Sequence, residues 1–473
     1  GINDLGAVSL HRVVDTSGYL SGDFHVHSVN SSDAPIPLID RVMTFAGEGV
    51  EILVATDHDY ITDYRPVIEE LNLQEFVNSV IGNEVTTWDF GHFNAFPLTP
   101  DTSKPANGAL DWGNGTGYTM TPCQIMDGML DDPGEEIVQV NHPRGSAVFQ
   151  AYFSAIQLDT LTRKTYATPE IFRMPPDLAK FIGWSPLAKD TGLFYGKFTA
   201  MEIYNNYGDI DTLLNDWFTF LNTGLIVTGT GVSDTHTKVA TSAGVPRTFT
   251  KMPTDTPSRM NDHDLVANVN TQKVVVSNGP FLIVEVENSA GQTAGSGDLL
   301  YSNGNDINLK IRIQSPTWIK YDAIKIFSNT GETATGDDGT LNSRSPAPIK
   351  EYKLGTDFAL DSSAEVVADG GRRYEVNIAG KFSISRDAWF IVQVKTESEE
   401  YGLFPLSFNN GEKPLSISNP VFVTVENDND FDPPGATRRT GLSGAATKNT
   451  IQQLRASTIE EIGRLSKIID KKK

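Results

Sequence analysis

Cysteine is almost missing from this 473-residue chain: Cys123 stands alone. No internal disulfide can form and no thiolate zinc site can be assembled, so any bound metal has to be held by His, Asp or Glu. No run of about 18 or more apolar residues occurs, so nothing in the sequence is suited to cross a bilayer as a helix. Positive charge is scarce as well, with 38 Lys and Arg against 60 Asp and Glu and a net charge of −22. Nucleic acid and anionic membranes want a basic face, so neither is expected as a partner. The acidity serves solubility, or in part a cation site, where bound metal reverses the local sign. Internal repeats are lacking. The first residue is Gly rather than Met, from which processing or truncation is expected, with a signal peptide removed. Ala7–Val14 alternates like a strand and is expected to close an upstream domain.

What is present falls into two patterns. From about residue 18 to 278, short apolar runs alternate with amphipathic stretches: Val50–Ala55, Ser79–Ile81, Glu136–Val140, Ala200–Tyr204 and Gly224–Gly229 read as buried strands, Pro37–Ala46 and Asp211–Leu221 as helices. Such βα alternation implies a mostly parallel sheet or barrel. From about 280 the runs become short alternating strands between Gly, Asn, Asp and Ser clusters, namely Phe281–Val286, Ile307–Ile313, Ala323–Phe327, Trp389–Val394 and Val421–Val425. That pattern predicts an all-β sandwich, with Trp318 and Trp389 expected in its core rather than as a sugar platform. Asn427–Asp432 is expected to be a polar turn rather than a calcium loop, since its spacing does not match an EF-hand. Beyond Pro433-Pro434, residues 450–469 place Ile451, Leu454, Thr458, Ile462, Leu465 and Ile469 on one helical face. This helix either zips two chains into a homo-oligomer or docks on the protein's own β region. The expected division is 1–278, 279–427 and 428–473.

The chemistry-bearing residues gather at the ends of predicted strands. His25 and His27 are two apart, so on an extended strand they face one side; alone, such a pair is weak evidence. His58 follows the strand Val50–Ala55, and Asp57 beside it either orients an imidazole or caps a turn. Glu84 and His92 follow Ser79–Ile81, His142 and Arg144 follow Glu136–Val140, and Asp234 and His236 follow the strand ending at Gly229. A single histidine at a loop start is ordinarily structural. Five such coincidences at strand ends point to one metal cluster, the more so because barrel chemistry collects at C-terminal strand ends. His11 and His263 lack such settings.

The order H-x-H, T-D-H, E with a following H, N-H-P and D-x-H resembles the polymerase and histidinol phosphatase (PHP) superfamily. The text Ser21-Gly22-Asp23-Phe24-His25-Val26-His27-Ser28, Ala55-Thr56-Asp57-His58 and Asn141-His142-Pro143-Arg144-Gly145 resembles its carbaryl-hydrolase (CehA/McbA-like) branch, over about residues 15–240, and Ser277–Phe281 looks like that branch's junction to a trailing β domain. The resemblance implies a distorted (βα)7-type barrel followed by an immunoglobulin-like β-sandwich and a C-terminal helix. It also implies a three-metal site. His25, His27, Glu84 and Asp234 would hold the first metal. His58 would hold the second, with Glu84 bridging and Asp33 standing where the superfamily often has His. His92, His142 and His236 would hold the third. His and carboxylate donors suit zinc, manganese or iron, two or three ions in all.

On that site a hydroxide held between two metals would attack a small-molecule ester. A phosphoester, monoester or diester, is the leading substrate, with Arg144 either clamping a phosphoryl oxygen or making an ordinary salt bridge. A carbamate, carboxylic ester or amide is the second reading. A surface- or carbohydrate-binding protein with a merely structural metal site is the third. Tyr204–Asp209 is expected to face the site, and the aromatic segment 146–197 to form a lid, a substrate wall or simple packing. A proofreading role beside a polymerase is disfavoured by the charge. The trailing β region points to a periplasmic or extracellular bacterial protein, with the cytoplasm as the alternative.

Overall fold

The computed structural model describes residues 11–113, 120–130, 135–145, 151–166, 193–205, 209–238, 243–329, 347–363, 365–367, 370–401 and 412–434. Most of the 146–197 segment, half of Ala7–Val14, part of Tyr204–Asp209 and the C-terminal helix therefore lie outside the described residues. The chain is a mixed α/β protein with many strands and few helices. In the first half the strands are β1 Tyr19–Asp23, β2 Ile52–Val54, β3 Asn78–Val80, β4 Asn83–Thr86, β5 His92–Phe96, β6 Ile137–Val140, β7 Leu158–Asp159, β8 Lys164–Thr165, β9 Ala200–Tyr204, β10 Thr228–Gly231, β11 Arg247–Lys251 and β12 Val274–Ser277.

Parallel pairing holds β1 to β2 and β2 to β3, with Gly22 opposite Ile52 and Leu53 opposite Ser79. The side chains of β2 are buried throughout, as a parallel strand covered on both faces requires. Helix α1, Leu38–Glu48, covers one face. It buries Val42 and Phe45 and ends on Gly49, whose φ of 65° is the left-handed conformation that favours glycine at a helix stop. A second sheet runs β10-β9-β6-β5-β4, and its helix Ile210–Asn222 starts on Asp209, whose side chain accepts the Thr212 N–H. Trp217, fully buried in that helix, donates Nε1–H to Val227 O at 2.9 Å.

Among the described residues neither sheet closes on itself, so in place of the expected closed barrel the strands lie in two open sheets. The reason lies in pairings that break the βα alternation. β4 and β5 form an antiparallel pair, and β11 lies antiparallel to both β1 and β12. The two sheets meet instead at one end, through the bridges Val26–Thr235, His58–Glu84 and Thr62–Gly82.

The sheet continues across the change of pattern near 280. β12 pairs with Leu415–Ser418, which leads on to Ala388–Lys395 and Val421–Thr424. The long strands Phe281–Glu287, Asp306–Pro316 and Arg373–Ser383 form a second layer. Their inward residues Leu282, Val284, Ile311, Ile313 and Val376 pack with Ile324, Ile326, Phe390 and Val392 of the first layer. Trp389 is buried, as expected, against Phe218 of the first half, and donates Nε1–H to Asn222 Oδ1 at 2.8 Å. Trp318 is not: it is 58 % exposed, because it sits in the turn after Pro316 rather than on an inward strand position. Asn427–Asp432 forms bends, in keeping with a polar turn. No helix among the described residues is long and apolar enough to cross a membrane.

Candidate metal centre

The joined ends of the two sheets carry the cluster. β1 runs into His25 and His27, and β2 into Asp57 and His58. The β4–β5 hairpin carries Glu84 and His92 on its strands, β6 runs into His142, and β10 into Asp234 and His236. Gly91 makes the approach of His92 feasible. Its φ is 87°, and a Cβ there would lie 2.4 Å from Tyr152 N.

Glu84 is the centre. Fully buried, it lies with Oε1 3.0 Å from His25 Nε2 and 3.3 Å from His92 Nδ1. Its Oε2 touches His58 Nδ1 and lies 3.9 Å from His27 Nε2. Asn141 donates Nδ2–H to Oε1 at 2.7 Å. Asp234 Oδ1 stands 3.0 Å from His27 Nε2 and 3.2 Å from His25 Nε2. Three groups of potential ligand atoms result, each within 4.8 Å of one another: His25, His27 and Glu84; His27, His58 and His236; and Glu84, His92 and His142.

Electrostatics mark the cluster off from ordinary structure. Burial alone would depress the His25 imidazole, yet Asp234, Glu84 and Glu202 hold it well above its usual range. His27, under the same burial and facing His58 and His236, is held well below. Burial opposes protonation of His58 too, but Glu84 and Asp33 raise it to about 9. Glu84 and Asp234 are held below the usual carboxylate range by the imidazoles around them, against the effect of burial. Opposed shifts among buried neighbours are typical of functional sites.

The donors fit divalent metal. His25 Nε2 and His92 Nδ1 are buried and make no hydrogen bond, although both point at a carboxylate. The spacings of Glu84 Oε1 to His25 Nε2, 3.0 Å, and to His92 Nδ1, 3.3 Å, suit the edges of a coordination polyhedron, about 3.0–3.4 Å for bonds of about 2.1 Å. The deep side is closed, with His25, His27 and Glu84 fully buried, whereas Asp33, at 57 % side-chain exposure, lies 3.4 Å from His58 Nε2 and 3.5 Å from His236 Nε2. Solvent reaches the cluster from that side.

All nine expected ligand positions thus come together, and their grouping differs from the expected one at His236. His236 joins His27 and His58, with its ring 3.9 Å from that of His27 and its Nδ1 2.9 Å from Asp234 O; His92 and His142 share Glu84 instead. Two residues expected at the chemistry stand elsewhere. Arg144 donates Nε–H and Nη2–H to Asp216 at 2.7 and 3.2 Å, and to the carbonyls of Phe153 and Leu158 at 3.2 and 2.8 Å, so its fork is engaged away from the cluster. Asp57 touches no imidazole. Its carboxylate accepts from Ser28 N and Oγ, Ser31 Oγ and Thr62 Oγ1 at 2.5–2.8 Å, and reaches His27 only through Ser31, whose Oγ is 3.0 Å from Nδ1.

Two buried residues were not foreseen. Arg41, fully buried in α1, donates to the carbonyls of His27 at 2.9 Å and Thr235 at 3.0 Å. Glu202 sits in mid-strand on β9 and is 2.7 Å from His25 Nδ1. Their signal in the sequence is a charged residue inside an otherwise apolar pattern.

No family model matches the chain, and no curated protein matches it. Three solved structures similar to it are a two-domain protein containing a predicted PHP-like metal-dependent phosphoesterase from Bacteroides vulgatus (16% identity over 79% of this chain and 100% of that one, TM-score 0.33), an Endonuclease Q complexed with a 27-mer duplex (11%, 50% and 54%, TM-score 0.29), and a putative metal-dependent phosphoesterase from Bifidobacterium adolescentis (13%, 52% and 94%, TM-score 0.27). Likenesses of this strength carry no argument about activity. The side chains have to supply it.

Proposed function

We propose that the chain is a metal-dependent hydrolase of small ester substrates, and that phosphoesters are its leading substrate class. The observation that carries this is the buried Glu84 carboxylate, whose two oxygens are shared among ligand groups that overlap and open to solvent on one side. A structural site would close its coordination sphere; this one leaves the Asp33 side accessible. Bound there, zinc, manganese or iron supplies Lewis acidity and a nucleophile at neutral pH.

The protein's own groups do the rest. His25, His27, Glu84 and Asp234 would hold one ion, and His58 and His236, with Asp33, a second beside Glu84 or His27. His92 and His142, with Glu84, would hold a third. Asn141 fixes the rotamer of Glu84. Asp57 fixes the loop that carries His27 by accepting the Ser28 N–H.

A second reading, hydrolysis of a carbamate or carboxylic ester, is favoured by the position of Arg144. With that guanidinium engaged by Asp216, no cation of the N-H-P-R motif neutralises a phosphoryl group, and that work falls to the metals. Trp88, 77 % exposed in the turn between Glu84 and His92, is an apolar group on the hairpin that carries both. The carbaryl-hydrolase resemblance points the same way.

Elemental analysis together with a panel of p-nitrophenyl phosphate, bis-p-nitrophenyl phosphate, p-nitrophenyl acetate and a naphthyl carbamate separates the readings. Two or three metals per chain with metal-dependent phosphoester turnover supports the first. Turnover confined to acetate or carbamate supports the second. Neither metal nor turnover, after addition of zinc, manganese or iron(II), refutes both.

A further inference from the structure

Strand β9 is apolar and buried at Ala200, Met201 and Ile203, yet it carries a fully buried carboxylate, Glu202, among them. Such a group is tolerated only when its oxygens are met by donors, and four meet it. Oε1 accepts from His25 Nδ1 at 2.7 Å and Gln139 Nε2 at 3.2 Å. Oε2 accepts from the backbone N–H of His142 at 2.6 Å and from Asn205 Nδ2 at 2.7 Å. The two oxygens therefore serve two ligand groups: His25 belongs to the group of His27 and Glu84, and His142 to that of His92 and Glu84.

We propose that Glu202 is the positioning residue that couples these two groups, fixing the tautomer of His25 through one oxygen and the backbone of His142 through the other. The inference rests on the reading of the cluster as a metal centre. A carboxylate has no proton to give, so Nδ1 is where His25 keeps its proton when a metal takes Nε2, which faces Glu84 and Asp234. A ring nitrogen held by a carboxylate at its far side is the usual way a protein orients a ligating histidine. The backbone argument is as specific. His142 has φ 26°, a strained value for a residue with a side chain, and the bond to Glu202 Oε2 holds the N–H of that same residue.

Glu202→Gln tests this because it preserves shape and removes only the ability to accept on both sides. The backbone N–H of His142 cannot turn into an acceptor, so it takes the amide oxygen. The amide NH2 then faces His25 Nδ1, which must become the acceptor. The imidazole proton moves to Nε2 and closes the lone pair that a metal needs.

Metal-free wild type, Glu202→Gln and Asn205→Ala are titrated with Zn(II) against a chelating indicator, and the Co(II) forms are compared by absorption. Asn205→Ala removes one donor and leaves both oxygens in place. Weakening of about 10–100-fold is expected for Glu202→Gln, with an altered Co(II) spectrum, and a change of less than about threefold for Asn205→Ala. Wild-type affinity and spectrum in a folded Glu202→Gln overturn the proposal while leaving the metal centre intact. If the wild type itself binds no metal, the reading of the centre falls and the proposal with it. If Glu202→Gln does not fold, 15N-histidine NMR of the Zn(II)-loaded wild type decides, with His25 identified by its shift in Gln139→Ala. A protonated, slowly exchanging Nδ1 supports the coupling, and an unprotonated one overturns it.

Discussion

Replacing Arg144 distinguishes a phosphate clamp from a structural pair. In the structure its guanidinium forms a two-point bond with Asp216 and bonds to two carbonyls, with side-chain exposures of 21 % for Arg144 and 5 % for Asp216. Arg144→Met leaves the Asp216 carboxylate buried, with the Thr160 hydroxyl still donating to it at 3.0 Å. Breaking a buried pair in this way costs about 3–5 kcal/mol, and the partial exposure of the arginine lowers that to about 2–4. At about 2.1 cal/mol/K per residue, cooperative unfolding of the whole chain carries about 1 kcal/mol/K of entropy, so Tm should fall by about 2–4 °C by calorimetry. Arg144→Met combined with Asp216→Leu should recover most of the loss, because an apolar pair of similar volume replaces the ionic one. Turnover of phosphate and neutral esters should fall equally, if at all. A Tm within 1 °C of wild type, with phosphoester turnover reduced about a hundredfold and neutral-ester turnover spared, refutes this and restores the clamp.

Asp234→Ala and His27→Ala should each abolish metal-dependent turnover while the far-ultraviolet circular dichroism stays that of wild type; wild-type-like turnover in either sinks the metal-centred mechanism. His236→Ala should disturb the same bound ion as His58→Ala, and His92→Ala the same ion as His142→Ala, which metal stoichiometry of the single and double variants reads out. Arg41→Met should lower both stability and metal affinity, since it frees the carbonyls of His27 and Thr235 together; unchanged affinity would mean that α1 does not position the ligands. Burial raises the Glu412 carboxyl from 4.5 to about 7. A raised folded-state value means that the folded chain holds a proton the unfolded chain has lost. Its contribution is therefore complete below pH 4.5 and lost as pH rises through 7, by at most about 3 kcal/mol. Glu412→Gln should flatten that part of the denaturation profile, measured with urea at pH 5 and pH 8.

The sequence shows the cluster more clearly than the fold around it. Most of the candidate donors are legible because they follow an apolar run, which periodicity locates well; Asp33 is placed by the family resemblance alone. Strands Ala200–Tyr204 and Ala323–Ser328 and helix Ile210–Asn222 fall where the patterns put them for the same reason. The β4–β5 hairpin was not legible, because Asn83–Thr86 and His92–Phe96 mix polar ligands into a buried strand and so lose the apolar signature. β11 and β12, which turn a parallel arrangement partly antiparallel, are locally indistinguishable from other Val- and Thr-rich strands. Pairing direction is decided by long-range partners such as Phe249 opposite Ser21, which no local pattern encodes. Both readings of Arg144 stay open in the sequence because an arginine in a motif looks the same whether its partner is a ligand or, 72 residues on, Asp216.

Open sheets raise the question of how ligands on six chain segments stay in register. The buried acids around the cluster answer it. Asp23 accepts the N–H of His25 at 3.3 Å, of Ser233 at 3.0 Å and of Gly244 at 2.9 Å, joining the end of β1 to the loop that carries Asp234. Asp57 joins the loop after His27 to Thr62, and Asn94, beneath Asn141, donates Nδ2–H to Phe24 O at 2.8 Å, tying β5 to β1. The Asp23 and Asn94 ties connect segments that the sheet ladders leave unconnected, the Asp57 tie reinforces the β1–β2 pair, and all lie at the end where Val26 bridges Thr235 and His58 bridges Glu84. A closed barrel would hold those ends by hydrogen bonds between neighbouring strands. Here side-chain carboxylates and amides replace that closure, so the residues that join the two sheets and the residues that aim the ligands are the same. Loss of any one of these ties should therefore loosen the fold and the cluster together.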